Sequence, residues 1–224
     1  MTTNRQDWVT TARQKTVAAI REGRMQDAIA GVDAIWAEGR PIHDFYGDMC
    51  ATFCDFIATE LGEDGVERAW RYLGEKLWRP VFMEAAKAGA EQLAGLYAMF
   101  LRSHGYDFRV EEDESRYTFH LDYCPSGQRL MMEGKLAGDK RHPMNHGVSS
   151  KPHAWTFNRA GVPYYCGHTE LWFNTMPREW GAPIMSGRYG DFDGQGRVTG
   201  TPCTIFISKK VLDVPVNAHG ERVP

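Results

Sequence analysis

The chain has no apolar run approaching the roughly 20 residues that span a bilayer. It has no basic excess either, since 26 Lys and Arg stand against 29 Asp and Glu for a net charge of -3. That balance gives no electrostatic footprint for nucleic acid. The segment from Met1 to Arg13 is polar and shows no signal-peptide h-region, which predicts a cytoplasmic protein. Cysteine is scarce and odd in number, at five, so a disulfide framework is not expected and the thiols are read as free groups or ligands. No internal repeat or low-complexity tract is present. A length of 224 residues and 42% hydrophobic content suffice for a real core in one compact domain or two small ones.

The distribution of what is present is uneven. Cys124, Cys166 and Cys203 fall between His120 and Cys203, together with His142, His146, His153 and His168. Gly- and Pro-rich polar segments separate them. Thiol and imidazole groups bind borderline metals, attack electrophiles and move protons near neutral pH. The clustering therefore predicts a reactive or metal-binding site.

Helical periodicity dominates the first half. A helix is predicted from Asp7, as its cap, to about Arg21. A second carries Met25, Ile29, Val32, Ile35 and Trp36 and stops at Gly39 and Pro41. A third runs from His43 or Asp44 to Leu61, a fourth carries Val66 to Leu77 and is interrupted at Pro80, and a fifth spans Val81 to Ser103. The aspartates near His43 suit a helix N-terminus. Cys50 and Cys54, four residues apart among Phe53 and Ile57, read as a buried stripe. After Gly105 the pattern alternates, predicting strands over Tyr106 to Glu111 and Arg116 to Tyr123 that turn His120 and Asp122 off the apolar face. Further short strands are expected at Gln128 to Met132, at Trp155 and Phe157, and at Thr204 to Ser208, with Tyr164 to Phe173 a strand or short helix. The expected fold is α+β: a helical layer of about five helices, residues 1–105, on a mostly antiparallel sheet with long loops, residues 106–224, which carries the site. The long N-terminal helices also offer a face for a homodimer.

Within the site, Cys124 ends a strand because Pro125 cannot extend the ladder. It is the candidate nucleophile, with Ser126 and Gly127 placed to offer oxyanion donors. His168 is the candidate base, with Glu170 behind it to orient the ring. His120, Arg129, Trp155 and Trp172 are candidate substrate contacts. Arg129, Arg141 and Arg188 are each able to clamp a carboxylate. An alternative makes Cys124, Cys166, His168 and Cys203 zinc ligands, on the argument that residues two apart in an extended chain face the same way.

Four segments taken together resemble a bacterial family. They are LGEDGVERAW (Leu61 to Trp70), CPSGQRL (Cys124 to Leu130), YYCGHTELWFNTMPREWGAP (Tyr164 to Pro183) and TPCTIFISK (Thr201 to Lys209). The family is the one named for L-2-amino-thiazoline-4-carboxylic acid hydrolase, and the resemblance covers roughly residues 43 to 210. This chain departs from it at Cys124-Pro125-Ser126-Gly127-Gln128, where relatives carry C-G-S-G-G, and at Thr169, where they carry a second cysteine. The resemblance implies opening of a small ring containing sulfur and nitrogen. The resulting expectation is a hydrolase or lyase that cleaves a C–N or C–S bond of a small polar, heterocyclic substrate. The alternative is a binding or redox- or metal-sensing module whose pocket is lined by aromatics among Trp155, Tyr164, Tyr165, Trp172, Phe173 and Trp180.

Overall fold

The computed structural model describes residues 9–136 and 144–210. The predicted cap Asp7, together with Arg141 and His142, lies outside the described residues. The fold is α+β, with helices concentrated in the N-terminal half and a four-stranded antiparallel sheet in the C-terminal half. Among the described residues no helix is long and apolar enough to cross a membrane. The chain divides into two units, Met1–Gly47 and Asp48–Pro224.

In the first unit, α1 (Ala12–Arg21) begins at a capping box. The Gln14 amide donates to Thr11 Oγ1 at 3.2 Å, and the Thr11 amide donates to Gln14 Oε1 at 2.8 Å. α1 meets α2 (Met25–Leu61) through small residues. Gly31 comes so close to Thr16 that a Cβ would sit 2.2 Å from its hydroxyl. Two helices were expected where the single α2 runs. Gly39 and Pro41 weaken a helix, but the apolar residues on either side stay in phase, with Ile35, Ile42, Met49 and Phe56 at seven-residue steps. Asp44 therefore pairs with Arg40 one turn earlier, at 2.9 Å, instead of capping a new helix.

In the second unit, α3 (Glu63–Leu73) passes into a π-helical stretch, Gly74–Trp78, and then α4 (Arg79–Ala88), with Pro80 near the junction of the two. Gly89, at φ +122°, separates α4 from α5 (Ala90–His104). β1 (Asp107–Glu112) and β2 (Arg116–Tyr123) follow as the alternation predicts. The next stretch is not a strand but a short helix, α6 (Gly127–Met132). Trp155 likewise lies in a 3-10 turn, Ala154–Thr156. A composite helix then joins a 3-10 turn Tyr164–Cys166, an α-turn Gly167–Thr169, a π stretch Glu170–Thr175 and a last α-turn Met176–Glu179. β3 (Met185–Arg188) and β4 (Cys203–Ser208) complete the sheet in the order β1-β2-β4-β3. Phe119, Leu121, Ile205 and Ile207 form the inner face and pack with Phe82, Leu93, Tyr97 and Leu101 of the helices.

Candidate functional site

A cavity of about 280 Å³ opens where three elements converge. α5 contributes Tyr97, Phe100, Leu101 and His104, which share one helical face by their spacing. The composite helix contributes Tyr165, His168, Thr169, Trp172 and Phe173, again one helical face. The sheet and its exit supply Leu121, Cys124, Ser126, Cys203 and Ile205, and Tyr106 and Trp78 complete the lining. No Lys, Arg, Asp or Glu side chain is among these residues.

Two indole N–H groups tie these helical elements together through backbone carbonyls. Trp78 Nε1 donates to the Trp172 carbonyl at 2.9 Å, and Trp172 Nε1 donates to the Trp70 carbonyl at 2.9 Å. The approach requires glycine at 74, where a Cβ would fall 2.8 Å from Trp172 Nε1 and from Met176.

Cys124 is held rigidly at the end of β2. Its amide donates to Gln128 Oε1 at 2.8 Å, and its carbonyl accepts from the Arg129 amide at 3.1 Å. Its thiol donates to Tyr106 Oη at 3.3 Å. Burial pushes the phenols of Tyr97, Tyr106 and Tyr165 upward, so they stay protonated donors. Ser126 hydrogen-bonds Tyr165.

His168 lies among Trp70, Tyr165 and Trp172, with ring centroids 5.0, 5.1 and 5.2 Å away. It keeps some accessible surface where it lines the cavity, yet this aromatic shell removes most solvation. Burial lowers its pKa to about 4, against the opposing pull of the Tyr165 carbonyl. That carbonyl accepts from Nδ1 at 2.5 Å, so Nδ1 carries the proton and Nε2 keeps a lone pair.

Five of the expected site residues, Cys124, Ser126, His168, Trp172 and Cys203, meet on this cavity, and the others lie elsewhere. Gly127 packs against Cys166, whose Sγ a Cβ would meet at 2.3 Å. Cys166 and His168 were read as neighbours on an extended chain. The segment is helical, so the two side chains diverge, and burial raises the Cys166 thiol well above its ordinary range. Burial pushes Cys203 up to about 12, and its sulfur accepts from the Gly190 amide at 3.2 Å.

Glu170 does not orient His168. It is 6% exposed, and it accepts from the Asn174 amide and, at 3.4 Å, from Thr175 Oγ1. Asn174 in turn clasps Gly187 of β3, donating to its carbonyl at 2.8 Å and accepting from its amide at 2.5 Å. Burial raises Glu170 to about 7.

Arg129 is a buried staple rather than a substrate clamp. It donates to Pro125 O at 2.9 Å, Asp48 Oδ1 at 2.8 Å and Glu133 Oε2 at 2.8 Å. Lys135 Nζ completes the network at 2.7 Å from Asp48 Oδ2. Burial opposes the charge of Asp48, but Lys135 and Arg129 outweigh it and hold the carboxyl below its ordinary value. Trp155 is 2% exposed and packs on Gly167, away from the cavity. His120 sits on the outer face of the sheet, as the alternation predicts. There Nε2 is 3.3 Å from Glu111 Oε2, without hydrogen-bond alignment. Arg188 on the same side reaches Asp191 at 3.3 Å.

The loop histidines act as pins. His146 Nδ1 meets Asp55 Oδ2 at 2.7 Å, and His153 bonds Glu63, which also accepts from Tyr164 Oη at 2.9 Å. Cys54 is buried, with its thiol pushed up to about 12, in keeping with a core stripe. Among the described residues no group of three or more His, Cys, Asp and Glu side chains is placed to hold a metal ion. The four expected zinc ligands thus do not form such a group.

Sequence reasoning missed Trp78, Tyr97, Phe100, His104 and Tyr106. The spacing of positions 97, 100, 101 and 104 was a legible signal of a shared face. Tyr106, in the connection before β1, offered none. Comparison with family models, curated proteins and solved structures gives no match.

Proposed function

We propose that the chain is an enzyme that takes a small, uncharged heterocycle into the aromatic cavity and cleaves a C–N or C–S bond, as a hydrolase or lyase. Cys124 acts as nucleophile and His168 as base. One observation carries this reading: two thiols, three phenols and two imidazoles share a cavity with no Lys, Arg, Asp or Glu side chain among its lining residues. Apolar walls bind a ring by area, and the few polar groups fix its orientation. Cys203, held as a protonated thiol, and Cys166, turned toward Gly127, leave Cys124 as the thiol that acts. With Nδ1 committed to a carbonyl, Nε2 is the nitrogen that exchanges the proton. The motif resemblance to thiazoline hydrolases agrees with ring opening. As part of the same proposal, the protein works in a reducing cytoplasm, where its five free cysteines remain thiols.

A non-covalent binding pocket is the second reading, favoured by the preponderance of aromatic wall over reactive groups. Limited alkylation of the native protein with iodoacetamide at neutral pH, mapped by mass spectrometry, separates the two. The enzyme reading expects the adduct on Cys124, its loss in Cys124→Ala, and thiol release from an uncharged thiazoline by wild type only. Binding of the thiazoline without turnover, by a protein whose Cys124 resists alkylation, supports the plain pocket.

A further inference from the structure

Within the first unit, α2 carries a stripe that nothing in that unit covers. Met25, Ile29, Val32, Ile35, Trp36 and Ile42 are each between 40% and 64% exposed. At 100° per residue they fall within a band about 140° wide, the arc of an amphipathic helix that faces a partner. α1 does not supply that partner. It packs along one edge of the stripe through Thr16 and Gly31, burying the small Ala19 and Ala28 and leaving the six larger side chains exposed. The cleft between the two helices is lined by small and polar side chains and by none of the six.

We propose that this stripe is the interface of a homodimer, in which the α1–α2 hairpins of two copies pair face to face. Area favours a second copy. With large side chains half exposed, the stripe presents on the order of 600 Å² of apolar surface per copy, against roughly 800 Å² per partner in a standard interface, the polar rim supplying the rest. The same steps of three, four and seven residues let a stripe interdigitate with itself about a two-fold axis, so one surface serves both sides. Trp36 lies near its middle, where a buried aromatic contributes most to binding. A membrane surface fits poorly. Helices that lie on anionic lipid carry a basic polar face, whereas Met25–Arg40 carries Asp27, Asp33 and Glu38 against the single cation Arg40.

Sedimentation equilibrium of the full chain tests the proposal. The wild type is expected to be a dimer at micromolar concentration. Val32→Glu/Trp36→Glu is expected to be a monomer with the wild-type circular dichroism spectrum. Ile29→Ala/Trp36→Ala adds no charge and keeps the helix propensity high, and it is expected to weaken the dimer by at least about tenfold. A monomeric wild type overturns the proposal, as does a dimer that survives in the alanine variant with unchanged affinity. If the glutamate variant fails to fold, the alanine variant decides alone.

Discussion

The cavity and the loop region pinned to α2 and α3 both bury polar and basic groups, but they settle them differently. Among the described residues of the pinned region, the buried bases meet carboxylates: Arg129 and Lys135 meet Asp48, His146 meets Asp55 and His153 meets Glu63. In the cavity His168 meets a carbonyl, Cys124 a phenol and Cys203 an amide. Pairing with carboxylates spends the basic groups on holding shape. Pairing with neutral groups fixes the geometry while leaving a lone pair and a thiol free to react. That difference is what supports the proposal that the cavity is the reactive site.

The largest effect should come from breaking the pinned region. Asp48→Ala leaves Arg129 and Lys135 buried without their shared carboxylate, which should cost about 3–5 kcal/mol in urea denaturation. A loss within that of a surface substitution would show that the network holds nothing.

The pH response should expose the contrast next. His168 moves from its ordinary 6.5 to about 4 on folding. Over that window the unfolded chain binds a proton that the folded chain does not, so its contribution is complete above pH 6.5 and is lost as pH falls toward 4. Glu170 moves the other way, from 4.5 to about 7, so its contribution is complete below pH 4.5 and is lost as pH rises through 7. Each shift corresponds to about 3 kcal/mol, and the two nearly cancel over the shared range. His168→Asn should therefore lose stability with rising pH, and Glu170→Gln should gain it. Equal slopes in the two variants, measured by denaturation across pH 4.5 to 7, would contradict opposed titrations.

The smallest effect is local. Gly127→Ala places a Cβ on Cys166 Sγ and should cost about 1–3 kcal/mol by overpacking. A neutral result in thermal unfolding would show that Cys166 can move aside.

Much of this arrangement was legible beforehand. Alternation located β1 and β2, the apolar β-branched run located β4, and the Pro after Cys124 fixed where the thiol leaves the sheet. Three features were hidden. β3 reads as loop because Ser186 and Gly187 look like turn residues, and only the clasp by Asn174 reveals the strand. The composite helix was ambiguous because ring-bearing residues at positions 165, 168, 172 and 173 sit among residues that also suit a strand, and that ambiguity misplaced Cys166 relative to His168. Asp48 looked like one more helix-start acid. Its partners lie 81 and 87 residues away, beyond the reach of any local pattern.

The charge state of the cavity imidazole can be read directly by ¹⁵N NMR of His168 across a pH titration. The account predicts the neutral Nδ1–H tautomer at pH 7, with protonation only near pH 4. An Nε2–H tautomer, or a midpoint at or above 6.5, would contradict it.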